Sequence, residues 1–125
     1  MKKIQVNENK GHYSTGVVSN GMLYISGQLA LNPVDKTLPE GGVKAHMKQA
    51  LDNLEGVLKE AGITKEDVVQ CRIYITHIED WDAVNSVYED FFGSHKPARA
   101  VVPVGPLHYG SLVEIEAVAE VSNGR

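Results

Sequence analysis

The 125-residue sequence predicts an α+β fold: one mixed β-sheet carrying two helices on a single face. Three observations support this. The hydrophobic period switches between two and about 3.6, in the order strands, helix, strand, helix, strands. An Asn20-Gly21 pair between two apolar runs marks a tight hairpin near the start. The length suits a single domain, residues 1–125, because a chain of this size buries roughly two thirds of its unfolded surface without staples.

The elements follow in order. "KKIQVN" alternates at Ile4 and Val6 and reads as an edge strand. In "HYSTGVVSNGMLYISGQ", Val17 and Val18 lead into Ser19-Asn20-Gly21, and Met22 to Ile25 lead out; both turn residues tolerate positive φ. "LALNPVDKTLPEGG" holds Asn32, two prolines and two glycines, and is a loop. From about Val43, apolar residues recur at three- and four-residue spacing: Met47, Ala50, Leu54, Val57 or Leu58, and Ala61. This is an amphipathic helix ended by Gly62. "DVVQCRIYIT" alternates as a strand. "EDWDAVNSVYEDFFG" is a second helix with Trp81, Val84, Tyr88 and Phe91 on one stripe, Asp80 as N-cap and Gly93 after its end. Pro97 opens "PARAVVPVGPLHYGSLVEIEA", two closing strands joined by a turn.

Strand alternation assigns the faces. Val113, Ile115, Ala117, Ala119 and Val121 share the helix-covered side, opposite Leu112, Glu114, Glu116, Val118 and Glu120. In the middle strand Val69, Cys71, Ile73 and Ile75 oppose Val68, Gln70, Arg72, Tyr74 and Thr76; in the hairpin Leu23 and Ile25 oppose Met22, Tyr24, Ser26 and Gln28. The second face mixes aromatics, polar groups, charges of both signs and aliphatics, and no third helix is available to cover it. Such a patch suits a homo-oligomer packed sheet to sheet; the alternative is an ordinary half-wet antiparallel face.

The bulk composition excludes several classes. Twelve basic residues are scattered among sixteen acidic ones, for a net charge of −4, so a nucleic-acid surface is not expected. The single cysteine, Cys71, forms no internal disulfide and falls on an apolar strand face, where a cysteine usually packs rather than reacts. "MKKIQVNENK" lacks a signal-peptide core, and no stretch approaches the roughly 20 apolar residues of a membrane span. A cytoplasmic location is the expectation. There is no GxGxxG, P-loop, CxxC, HExxH or GxSxG. "THIED" reads as a helix start with its acidic first turn rather than as ligands, so no metal is expected.

Two charges interrupt the closing strands, Arg99 and Glu114. One reading is structural: Arg99 caps carbonyls or pairs at the sheet edge, and Glu114 pairs with Arg72. In the other, Arg99 is a planar fork for a substrate carboxylate and Glu114 positions a water or shuttles a proton. Tyr13, Ser26 and the backbone beside Gly27 would then complete a small polar pocket at a seam between subunits.

Five stretches together resemble the reactive intermediate/imine deaminase family (RidA, formerly YjgF): "GHYSTGV", "YISGQLALNP", "QALDNLEGVLKEAGITKEDVVQCRIYIT", "WDAVNSVYEDFF" and "PARAVVPVGPLHYGSLVEIEA". The resemblance runs through almost the whole chain. It implies a chorismate-mutase-like (YjgF-like) fold assembled as a homotrimer, with sheets lining a central barrel and ligands in clefts between subunits. It also implies a 2-iminobutanoate/2-iminopropanoate deaminase-type hydrolase. Such an enzyme converts 2-aminoacrylate-type enamines and imines to 2-oxo acids and ammonia, with no metal or organic cofactor. The alternatives are a non-catalytic regulatory trimer that binds a small carboxylate, and the endoribonuclease or translation-inhibitor labels that relatives have carried. By resemblance Arg99 binds the carboxylate, Glu114 serves the attacking water, and Tyr13, Ser26, Gly27 and Asn85 line the cleft. Three positions depart from the family's pattern. His12 and His108 stand where proline is common, and Val101 stands where the deaminase branch often has cysteine, which reshapes one pocket wall.

Overall fold

The computed structural model describes residues 1–6 and 11–121. Asn7, the last residue of the expected first strand, lies outside them. Strands β1 (Lys2–Ile4), β2 (Gly16–Ser19), β3 (Met22–Leu29), β4 (Val68–Ile75), β5 (Ala98–Pro103) and β6 (Val113–Glu120) form one sheet. Helix α1 (Gly42–Glu60) joins β3 to β4, and α2 (Trp81–Phe92) joins β4 to β5. The spatial order is β1-β2-β3-β6-β4-β5, antiparallel throughout except for the parallel β4–β5 pair. This is the mixed sheet and α+β class that the pattern predicts.

Local chemistry sets the boundaries. The β2–β3 turn has φ of 52° at Asn20 and 76° at Gly21, the mirror-image turn whose twist matches the strands it joins. Helix α1 ends where Gly62 takes φ of 76°. Its N–H then reaches Lys59 O at 3.0 Å and the next N–H reaches Leu58 O at 3.0 Å, satisfying carbonyls the last turn leaves free. Asp80 is the N-cap residue of α2, as expected, and also ends a one-turn 3-10 helix, Ile78–Asp80. Its backbone is already helical and its side chain caps nothing.

The core lies between the helices and one sheet face. Met47, Ala50, Leu51, Leu54, Val57 and Leu58 of α1 bury against Leu23, Ile25, Ile73, Val113, Ile115 and Ala119. Each large aliphatic side chain fully buried this way contributes about 1.5–3 kcal/mol, before the cost of ordering it. On α2 the stripe closes with Phe92 (3% exposed) rather than Phe91, which is half-buried with the Lys65 ammonium 4.7 Å over its ring.

The two closing strands are separated in space: β4 lies between β5 and β6, and β5 forms the outer edge. One expectation about the faces is corrected. The alternation in β4 breaks at its start, where Val68 is 1% exposed and Val69 46%. The β4–β6 register shifts between Val68 and Gln70, and that irregularity turns Val68 inward while the rest of the strand keeps the predicted phase. Among the described residues no helix packs on the second face, which presents Tyr24, Tyr74, Arg72, Glu114 and Glu116.

Candidate functional site

The predicted residues gather into two clusters. The first lies at the sheet edge. Arg99, on β5, is in register with Cys71 of β4 and so shares its helix-covered face. Its guanidinium lies 4.9 Å from the Tyr88 ring centroid and 5.4 Å from that of Trp81, and Nη1 donates to Asn85 Oδ1 at 2.7 Å. Asn85 in turn donates from Nδ2 to Glu89 Oε1 at 2.7 Å. Trp81, Asn85 and Tyr88 are spaced four and three residues apart on α2, so one helix face fixes the plane of the fork. Arg99 also lines an open groove of about 640 Å³ together with Asn85, Tyr88, Glu89, Asp90, His95 and Lys96. Val101 follows on the same strand face, half-buried opposite Ile73.

Beneath Arg99 the Tyr88 hydroxyl is buried, with no hydrogen-bond partner of good geometry among the described residues, and lies beside the Cys71 thiol. Burial first, then each other's proximity, raises Tyr88 far above the ordinary phenol range. Burial pushes the Cys71 thiol up to about 11, against smaller lowering effects from Tyr88 and Arg99. Cys71 is therefore packing, not a nucleophile.

The second cluster lies on the uncovered face. Glu114, on β6, pairs in register with Tyr74 of β4 and Leu29 of β3. Its carboxylate sits on the backbone of Gly27, where β3 is irregular between Ile25 and Gln28; a Cβ there would lie 2.9 Å from Glu114 Cδ. Only glycine leaves that space, which is the physical content of the Ser26-Gly27 pair. Burial first, and the neighbouring Glu116 second, hold the Glu114 carboxyl above its usual range. Among the described residues Glu114 forms no hydrogen bond or ion pair, whereas Glu116 accepts the Tyr74 hydroxyl. The expected Arg72–Glu114 pairing is not formed; Arg72 stands opposite Glu116 in the register.

Ser26 and Tyr13 adjoin this cluster differently. The Ser26 hydroxyl donates to Ser14 O at 2.7 Å and its N–H to Thr15 O at 2.9 Å, so it fastens the 13–15 segment to β3. Tyr13 is 53% exposed and, with Gly27, lines a cavity of about 280 Å³ that runs back to Asn53 and Val57 of α1.

Within one chain, Arg99 and Glu114 do not meet. They are two strands and three residues apart, roughly 14 Å between Cα atoms from standard strand spacings, and on opposite faces of the sheet. Sequence reasoning identified both charges but missed the α2 rings that hold Arg99. Trp81 and Tyr88 stood only as core-stripe residues, and nothing in their spacing revealed that the edge strand would lay a guanidinium on them. Among the described residues, no three His, Cys, Asp or Glu side chains are grouped to hold a metal ion, and no helix is long and apolar enough to cross a membrane.

Comparison with known proteins decides the family. The family described as Endoribonuclease L-PSP matches residues 4–121. The chain belongs to this RidA/YjgF family. A relative named 2-iminobutanoate/2-iminopropanoate deaminase, from Capra hircus, is 44% identical over 109 residues, 87% of this chain and 80% of the relative. A solved Rid-family protein, YyfA from Yersinia pestis, superposes with a TM-score of 0.91 at 39% identity, covering 96% of this chain and 98% of that one. E. coli TdcF, solved with bound serine, gives 0.91 at 30% identity over 98% and 100% of the two chains. RidA/YjgF relatives thus carry both deaminase and endoribonuclease names over the same fold.

Proposed function

We propose that the protein is an enamine/imine deaminase of the 2-iminobutanoate/2-iminopropanoate type, working as a homotrimer in which one copy's Arg99 cluster faces another copy's Glu114 cluster. The observation that carries this reading is the division of the site. The Arg99 fork lies on one face of the sheet, and Glu114, without a hydrogen-bond partner among the described residues, lies on the other, too far apart within one chain to share a three-carbon substrate. An edge-strand cluster that meets a sheet-face cluster makes a heterologous contact, which builds a ring where its rotation closes, as at about 120° in a trimer. The deaminase names of relatives near 44% identity support the chemistry.

The chemistry needs little beyond these groups. The enamine tautomerises to the imine, which takes up a proton from solvent at nitrogen to become an electrophilic iminium, and the carboxylate of this species takes the free edge of the Arg99 fork. Glu114, held above the ordinary carboxylate range by burial, accepts a proton from water as the oxygen attacks the imine carbon. The carbinolamine nitrogen is protonated and the C–N bond breaks, so that water and imine become 2-oxo acid and ammonia. Gly27 sets the carboxylate's height, and Tyr13, Ser26 and Val101 shape the walls of the cleft. No metal or organic cofactor takes part.

The test is release of pyruvate and ammonia from 2-aminoacrylate generated in situ, above the spontaneous rate, by protein shown to be oligomeric. A monomeric protein, or an unaccelerated reaction, overturns the reading. Serine bound to E. coli TdcF favours one second reading, a sensor that holds a small amino or oxo acid without turnover. If wild type and Glu114→Gln both bind such ligands and neither accelerates hydrolysis, that reading replaces the first.

A further inference from the structure

The segment that delivers Glu114 is fastened to three elements. Ser111 Oγ accepts the Ala30 N–H at 3.0 Å and donates to Val113 O at 2.7 Å, tying it to the end of β3. Leu112 O accepts the Thr76 N–H at 3.2 Å, tying it to the end of β4. The Leu112 N–H donates to Nδ1 of His46 on α1 at 3.0 Å. His46 is 7% exposed, and its imidazole also faces the carbonyl of Pro39. Accepting from an amide requires a bare Nδ1, so the ring is neutral with its proton on Nε2. Of the three ties, this is the one that titrates.

We propose that His46 is a positioning residue for Glu114: its neutral ring latches the start of β6 to α1, and protonation of Nδ1 opens the latch and lets the carboxylate drift from Gly27. The inference rests on the deaminase reading for its functional arm. Geometry makes the switch steep, because a protonated Nδ1 turns an acceptor toward Leu112 into a second donor facing the same N–H. Burial lowers the tendency of His46 to protonate, offset in part by the Pro39 carbonyl. The titratable groups on the segments that meet at the latch are Lys44 and Lys48, two residues either side of His46 on α1, Glu40 in the β3–α1 loop, His77 beside Leu112, His108, whose carbonyl accepts the Ser111 N–H, and Glu114, two residues beyond Leu112. None of these appears among the causes of that shift. With the folded pKa depressed, the latch is closed at and above the ordinary value of 6.5 and is lost as pH falls below it.

The experiment compares wild type with His46→Gln, whose amide oxygen can accept the Leu112 N–H but does not titrate; His46→Ala serves as the broken latch if it folds. Leu112 amide protection, corrected for intrinsic exchange, the His46 ring resonances and the Glu114 carboxyl resonance are followed by NMR from about pH 7.5 downward through the His46 midpoint that the ring resonances report, alongside kcat/KM. In wild type, Leu112 protection should fall about tenfold per pH unit once below the His46 pKa. In His46→Gln it should stay flat, and the limiting acid slope of log kcat/KM should drop by about one proton, leaving Glu114's own. Wild-type protection that ignores pH, or a His46→Gln variant with the wild-type dependence, overturns the latch. Protection that follows His46 while the Glu114 resonance and the kcat/KM slope do not overturns the positioning role. Should no variant deaminate, the functional reading fails, and the Glu114 resonance still decides the inference.

Discussion

Gly27→Ala separates the geometry of the carboxylate from the stability of the fold. The new Cβ would lie 2.9 Å from Glu114 Cδ and 3.2 Å from Cγ. Carbon contacts settle near about 3.5–4.0 Å, so the carboxylate must retreat by roughly 0.6–1 Å. A misplacement of about 1 Å at a reacting centre costs up to about 10²-fold, so kcat should fall roughly 10- to 100-fold. Stability should not follow. Gly27 is not among the positive-φ residues, the obstacle is the far end of a flexible side chain, and alanine restricts the unfolded chain by about 0.4–1 kcal/mol. The assay couples pyruvate release from 2-aminoacrylate to lactate dehydrogenase, with melting temperature and oligomeric state measured on the same samples. A correctly assembled Gly27→Ala protein within about twofold of wild type would show that Glu114 need not rest on that backbone, and the proposed role would fail.

Three further outcomes follow from the same geometry. Arg99→Ala should cost about 2–4 kcal/mol in kcat/KM, roughly 30- to 1,000-fold, and Arg99→Lys should recover only part because an ammonium cannot replace a fork held by Asn85; an active, assembled Arg99→Ala protein contradicts the binding role. Tyr88→Phe should leave kinetics unchanged and stability equal or slightly higher, since it removes a buried hydroxyl with no good partner, whereas Tyr88→Leu should raise KM by removing the ring under the guanidinium. Glu114→Gln should abolish turnover yet melt no lower at neutral pH. The sign follows from its raised folded pKa: whatever stability the protonated carboxyl contributes is present at low pH and lost as pH rises through that pKa, a loss the neutral amide avoids. A melting temperature well below wild type would show that the charge is paired in the assembly.

The parts of this protein that depend on near neighbours in the chain were legible without coordinates. Asn20-Gly21 specified its turn through the φ values those residues tolerate, and the three- and four-residue apolar spacing of α1 and α2 specified their buried faces. The alternation of β6 assigned Glu114 correctly to the uncovered side. Prediction failed where a distant strand chose the outcome. Val68 and Val69 exchanged faces because β6 pairs across an irregularity that β4's own sequence does not announce. One shortfall was local: Asp80 stands at the N-cap of α2 as expected, but a 3-10 turn runs into it and its side chain makes no capping hydrogen bond.

The same division holds for the candidate site. The residue types were readable, because a guanidinium and a carboxylate are rare in apolar strands and a glycine beside them hints at close approach. Their separation was not. It follows from β6 inserting between β3 and β4 while β5 joins the far side of β4, long-range pairings that local preference cannot encode. Tertiary structure alone placed Arg99 on the rings of α2, set Glu114 over Gly27, and brought His46 to the amide of Leu112, 66 residues away in sequence.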